Sequence, residues 1–183
     1  MANEKERILV VDDERLVRWA LLKKFSEWGY EVTEAGSAGE ALEHWRRDIP
    51  DLIVLDVRLP DMTGIELLRQ VKSQGDGAAV IMITANPQVD DVKAALKLGA
   101  FDFIAKPFDF DELRVTVQNA LETRRLRAEV DTLRDEVRRS SGYHDVVAVS
   151  RKMAELIEFV RKVANSEAST ILIQGESGTG KDL

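Results

Sequence analysis

Cysteine is absent from this 183-residue chain, and only two histidines, His44 and His144, are present. Without thiols there is no disulfide framework, no thiolate zinc or iron–sulfur site and no cysteine nucleophile. Two histidines cannot build a histidine-rich metal centre, and both read as surface residues away from any crevice. Long hydrophobic runs are missing too. The longest, near Ala78–Thr84, falls far short of the roughly 20 residues that cross a bilayer. The first residues, Met1-Ala2-Asn3-Glu4-Lys5-Glu6-Arg7, mix both charge signs and lead into four apolar residues, which is not a secretory signal. The default expectation is a reducing, cytoplasmic setting with no membrane partner.

What the chain does have is a globular composition: 44% hydrophobic and 32% charged residues, with a net charge of -7. The charge is uneven. Residues 1–122 carry 15 basic and 23 acidic side chains, whereas residues 123–183 carry 11 and 10. The first segment is acidic enough to repel nucleic acid, so DNA contact through it is not expected.

Short apolar runs alternate with helical patterns up to residue 122. The strand candidates are Ile8–Val11, Glu31–Glu34, Leu52–Leu55, Val80–Thr84 and Phe103–Ala105. The first, third and fourth are nearly continuous apolar runs, as in strands buried on both faces of a parallel sheet. Ser37 with Glu40, and Thr63 with Glu66, read as capping boxes. Asn86-Pro87 reads as a cap and first helical residue, and Gly29 and Gly99 as helix stops. Five strands alternating with five helices predict an α/β doubly wound domain.

The last of these helices does not stop with the domain. Leu126, Val130, Leu133 and Val137 are spaced by 4, 3 and 4, an a/d seam of two heptads. A helix from Asp111 to Arg139 would be a rod of roughly 43 Å. This seam predicts a homodimer through the linker helix, with Arg124, Arg125 and Arg127 as its solvated flank. Ser140-Ser141-Gly142 breaks the rod. A helix near Met153–Ala164 and a strand at Thr170–Ile173 then lead into Gly175-Glu176-Ser177-Gly178-Thr179-Gly180-Lys181. Three segments result: an α/β domain over 1–122, a coiled-coil linker over 123–141 and a partial domain over 142–183.

Ligands of open α/β sheets bind beyond the carboxyl ends of the strands. Asp12 and Asp13 follow the first predicted strand, Asp56 the third, Thr84 closes the fourth and Lys106 follows the fifth. Singly, Asp13 is a helix cap, Asp12 a solvated loop residue, Thr84 a β-branched strand end and Lys106 a surface charge. Together they place three carboxylates, a hydroxyl and an ammonium in one crevice. Close carboxylates repel and need a cation. Oxygen donors without Cys or His select a hard ion, Mg²⁺ before Ca²⁺. Beside it, an Asp carboxylate is a competent phosphoryl acceptor, and Thr84 and Lys106 can stabilise the transferred charge.

Four stretches of residues 7–122 resemble a response-regulator receiver domain. They are Ile8–Asp13, Leu55–Gly64, Ile83-Thr84-Ala85 and Gly99–Phe108. The resemblance implies a flavodoxin-like sheet of order 2-1-3-4-5. It also implies that Asp56 accepts phosphate from a sensor histidine kinase. Mg²⁺ would be held by Asp13, Asp56 and the Arg58 carbonyl, with Asp12 assisting, while Thr84 and Lys106 contact the phosphoryl group. Lys106-Pro107 matches the family's cis peptide, and Phe103 its switch aromatic, here without a tyrosine hydroxyl.

The last segment resembles the opening of the AAA+ domain of NtrC-type, sigma-54-dependent activators. The match is carried by Ser150-Arg151-Lys152-Met153 and the Gly175–Lys181 loop, a phosphate-cradling pattern followed by Asp182. ATP, sigma-54 RNA polymerase and DNA would then be partners of a longer parent protein. This chain, ending at Leu183, is expected to be no enzyme. The alternatives are a Mg²⁺-dependent aspartyl-phosphate phosphatase and a stand-alone protein-binding module. The first needs an acid two residues after the nucleophile, where Arg58 stands.

Overall fold

The computed structural model describes residues 5–75, 77–140 and 150–164, together with Leu172 and Gln174. The chain divides into two compact units, Met1–Ala128 and Glu129–Leu183. In the first, five strands alternate with helices. In chain order they are β1 (Arg7–Val11), α1 (Arg15–Glu27), β2 (Glu31–Ala35), α2 (Ala38–Arg47), β3 (Leu52–Asp56), α3 (Gly64–Ser73), β4 (Ala79–Thr84), α4 (Val89–Lys97), β5 (Asp102–Ala105) and the start of α5 (Phe110–Ser140). The sheet runs β2-β1-β3-β4-β5, and every pairing is parallel. The expected topology is the observed one.

Alternation along the strands builds two cores. Leu9, Val11, Ile53, Leu55, Val80 and Met82 face one side, against Trp45 of α2, Leu67, Leu68 and Val71 of α3 and Ala95 of α4. Ile8, Val10, Leu52, Val54, Ile81 and Ile83 face the other, against Leu21 and Phe25 of α1 and Leu113, Val117 and Leu121 of α5. Each fully buried Leu, Ile or Phe contributes about 1.5–3 kcal/mol of hydrophobic stabilisation. The central strands, apolar on both faces, therefore hold the carboxyl edge of the sheet rigid.

Helix boundaries follow the local signals with two corrections. Thr63 and Glu66 form the full capping box. Ser37 accepts from the Glu40 amide, but the Glu40 carboxylate reaches back to the Gly36 amide at 2.7 Å. That second cap is therefore one-sided. Helix α4 begins at Val89 with Gln88 as its cap, not at Pro87. Proline holds Asn86 out of the helical region, and Asp90 and Asp91 instead supply negative charge to the first turn. Gly29 and Gly99 end their helices with φ of 95° and 91°, the left-handed conformation that glycine adopts without strain.

Helix α5 has 31 residues and continues past the sheet, as its periodicity requires. Leu126, Val130 and Leu133 lie about half exposed along it. Arg124 does not fit the expected solvated flank. Its guanidinium pairs with Asp51 at 2.7 Å and donates to the Gly77 carbonyl at 2.8 Å, tying α5 to the amino ends of β3 and β4. In the second unit, α6 spans Arg151–Ala164, with the Met153 amide donating to Ser150 Oγ at 3.2 Å. Val137's side chain, Ser141-Gly142, His144, positions 170, 171 and 173 of the expected strand and the loop over 175–181 fall outside the described residues, and Leu172 is exposed without strand pairing.

Gly64 marks the tightest approach among the described glycines. A Cβ there would sit 2.0 Å from the Asp56 carbonyl oxygen. Gly64→Ala in the full chain is expected to cost about 2–4 kcal/mol, because the obstacle is backbone and cannot swing aside. Urea denaturation measures this. An unchanged midpoint would contradict the close packing of α3 against the end of β3.

Candidate functional site

Strand order alone brings the polar strand ends together. Val11 pairs with Leu55, Asp56 with Ile83, and Thr84 with Ala105. Asp12, Asp56, Thr84 and Lys106 therefore finish four adjacent strands along one edge. Asp12, Asp56 and Thr84 are the buried polar residues of the described core, at 0%, 4% and 2% exposure. Carboxylates that far from water need partners.

Lys106 supplies one. Its Nζ lies 2.6 Å from Asp12 Oδ2, 2.7 Å from Asp56 Oδ2 and 3.2 Å from Glu14 Oε1. Asp12 Oδ1 accepts from the Glu14 amide at 2.8 Å, and Asp56 Oδ1 from the Arg58 amide at 3.1 Å. The Thr84 hydroxyl accepts from the Asn86 amide at 3.4 Å. The Lys106-Pro107 bond is cis, as the resemblance implies.

The balance of charge is unfavourable to the acids. Asp12, Asp13, Glu14 and Asp56 each place a carboxylate oxygen within 4.8 Å of the others. Burial pushes the Asp12 carboxyl above its ordinary range; Lys106 and the Glu14 amide offset this in part, and Asp56 adds to the rise. Burial alone would lower the Lys106 ammonium, but Asp12 and Asp56 outweigh it and raise it above the usual lysine range. Asp12 Oδ2 touches Lys106 as an ion pair without a directional hydrogen bond. A buried carboxylate oxygen with unused lone pairs, inside an all-oxygen cluster, fits a hard divalent cation.

Sequence reasoning missed Glu14, the fourth carboxylate, although it directly follows Asp12-Asp13. It also passed over Asp61, whose oxygens accept from the Ala38 and Gly39 amides at 3.0 and 2.8 Å. Those bonds, Ala38's first, lower the Asp61 carboxyl below its ordinary range and tie the β3–α3 loop to the start of α2. The Arg58 backbone lies in that loop, bridged to Thr63. Phe103 is partly buried against the core shared with α4. His44, on α2, lies away from the crevice in a small pocket lined by Arg7 and Pro50. The candidate phosphate loop, Gly175 to Lys181, lies outside the described residues.

A family model described as the response regulator receiver domain matches residues 8–118. A second, described as a protein of unknown function (DUF1515), matches residues 113–183. The chain is 39% identical over 178 residues to the regulatory protein AtoC of Escherichia coli, covering 97% of this chain and 38% of that protein. It is 38% identical to the alginate biosynthesis transcriptional regulatory protein AlgB of Pseudomonas aeruginosa, covering 98% of this chain and 39% of AlgB. The chain thus spans about two-fifths of the length of the curated relatives it matches. Among solved structures, a CheY-like receiver from Methanospirillum hungatei superposes with TM-score 0.66 at 30% identity, over 68% of this chain and 99% of that one. NtrX from Brucella abortus, in complex with ADP, does so with TM-score 0.68 at 33% identity, over 88% of this chain and 36% of NtrX. Fold, crevice and sequence therefore agree: the chain belongs to the two-component response regulators, and residues 8–118 are its receiver domain.

Proposed function

We propose that Asp56 is the phosphoacceptor of this receiver and that a sensor histidine kinase is the donor. The observation that carries this is the setting of Asp56: a buried carboxylate at the mouth of the sheet, bonded to the Lys106 ammonium and the Arg58 amide. Asp12 shares the Lys106 cation and accepts from the Glu14 amide but is wholly buried, whereas Asp56 keeps 4% exposure at the crevice from which to meet a donor. An Asp56 oxygen attacks the phosphohistidine phosphorus, the O–P bond forms, and the electron pair of the broken N–P bond returns to the imidazole. Lys106 then follows the negative charge onto the phosphoryl oxygens, and the Thr84 hydroxyl donates to one of them. Asp12, Asp13, Asp56 and the Arg58 carbonyl would hold Mg²⁺. When bound, the ion neutralises the carboxylate cluster and the incoming phosphate. On α1, Leu16 and Trp19 stand exposed beside a groove that reaches Lys106 and Phe108, a surface suited to the kinase.

Recruitment of Thr84 and Lys106 by the phosphoryl group shifts Phe103 and α4, and the change passes to the linker helix. Homodimerisation through Leu126, Val130, Leu133 and Val137 gives that helix a second state to occupy. The relatives' greater length supports a longer parent protein in which residues 142–183 open an AAA+ ATPase, and the name of AlgB as a transcriptional regulatory protein fits a cytoplasmic setting. There Gly175, Glu176, Ser177, Gly178, Thr179, Gly180 and Lys181 would cradle ATP, and the later domains would meet sigma-54 RNA polymerase and DNA. In this chain the proposed role is that of phosphoacceptor rather than enzyme.

Intact mass after incubation with acetyl phosphate tests the first step. The full chain is expected to gain one phosphoryl group with Mg²⁺ and none without it, while Asp56→Asn gains none and stays folded. A folded wild-type chain that gains nothing contradicts the proposal.

A pH and metal prediction follows from Asp12. Its folded carboxyl binds protons more tightly than the unfolded one, so metal-free stability falls as pH rises from 3.8 through the folded value. Above that folded value the penalty is fully present. Asp12→Asn is expected to raise the metal-free melting temperature and to reduce its further rise with Mg²⁺. A lower metal-free melting temperature in the variant would contradict this.

A third prediction concerns the linker. Leu121 is buried and Arg124 is anchored, so a cut near residue 120 would damage the domain itself. Ending the chain after Ala128 is expected to give a folded monomer that still takes phosphate, read by sizing and mass. A dimer surviving that cut would move the interface onto the receiver.

A further inference from the structure

Behind the acidic loop lies a cation that neither sequence reasoning nor the proposed chemistry uses. Arg18, in the first turn of α1, donates from Nη1 to the carbonyl oxygen of Asp12 at 2.7 Å and of Asp13 at 3.1 Å. Its Nε donates to Glu34 Oε2 of β2 at 3.1 Å. The side chain is only 16% exposed, unusual for an arginine on a polar edge. Its guanidinium lies against Gly36, where a Cβ would sit in van der Waals contact with Nη1 at 3.4 Å. The Asp12 amide also donates to the Ala35 carbonyl at 3.2 Å, so the loop is tied to the end of β2 through the peptides on both sides of Asp12.

We propose that Arg18 is a positioning residue for the divalent-cation site. One planar guanidinium holds the two successive carbonyls of Asp12 and Asp13 and is itself fixed by Glu34. Holding both peptides sets the direction in which the two side chains leave the loop, and thus the aim of two carboxylates. This rests on the reading of Asp12 and Asp13 as Mg²⁺ holders.

Charge and position make opposite demands, which lets one experiment separate them. As a positive charge near the cluster, Arg18 competes with a divalent cation, and its removal would tighten Mg²⁺ binding. As a positioning group it preorganises the ligands, and its removal weakens binding; groups of this kind are typically worth about 10–100-fold in metal affinity. Lysine keeps the charge but lacks the rigid fork that reaches three acceptors at once.

The test is isothermal titration of MgCl₂ into the full chain, wild type against Arg18→Lys and Arg18→Gln. It is run well below each melting temperature, with near-ultraviolet circular dichroism confirming the fold. Both variants are expected to bind Mg²⁺ about tenfold more weakly. Unchanged or tighter binding by a folded Arg18→Gln overturns the proposal. Should Arg18→Gln fail to fold, Glu34→Gln keeps the guanidinium and loosens one of its three anchors; it is expected to weaken binding several-fold, and an unchanged affinity overturns the proposal. A wild-type chain that binds no Mg²⁺ would instead overturn the metal reading of Asp12 and Asp13, and this proposal with it.

Discussion

Like charges that cannot separate are the constraint on which this molecule is organised. Four carboxylates meet within 4.8 Å at the edge of the sheet, and one ammonium faces three of them. Water cannot relieve the repulsion at Asp12 and Asp56, which are buried. The site is therefore held in a state that incoming positive charge improves, which is the physical basis of the proposed cation site; a bound cation would in turn offset the negative charge of a phosphoryl group. A site relaxed in isolation would have less to gain from a cation.

The rest of the fold resists that repulsion. Two-sided burial of β1, β3 and β4 fixes the strands whose ends carry the acids. Glycine at position 64 lets α3 press against the end of β3, Asp61 ties the β3–α3 loop to α2, and Arg18 ties the β1–α1 loop to β2. At the opposite edge, Asp51 gathers the Arg7 amide and the Arg124 guanidinium. Helix α5 is thereby anchored by charge as well as by Leu113 and Val117 before it continues toward the linker. Helix α5 is thus part of the cover of a stiff sheet, and its later turns form the proposed linker.

Much of this was legible in the amino-acid sequence because the strongest signals are local or periodic. Uninterrupted apolar runs at residues 8–11, 52–55 and 80–84 marked the buried parallel strands, and the polar residues ending them marked the crevice. The register of the sheet then did what strand order requires. Less legible were the features that depend on a partner far along the chain. Glu14 drew no reading until Lys106 arrived beside it. Arg124 looked like one charge among three until Asp51 and Gly77 were placed beneath it. The Glu40 half of a capping box was misread because the Gly36 amide competed for the same carboxylate, and α4 began later than expected because proline shapes the residue before it. Pairings across tens of residues leave no spacing to read.

The most direct test of the central claim is chemical location of the phosphoryl group. Borohydride reduces an acyl phosphate to an alcohol, so a phosphorylated aspartate becomes homoserine and can be found by peptide mass. After treatment with acetyl phosphate and Mg²⁺, homoserine is predicted at residue 56 and at no other aspartate. Homoserine at Asp12 or Asp13, with residue 56 intact, would contradict the assignment of Asp56 as the acceptor.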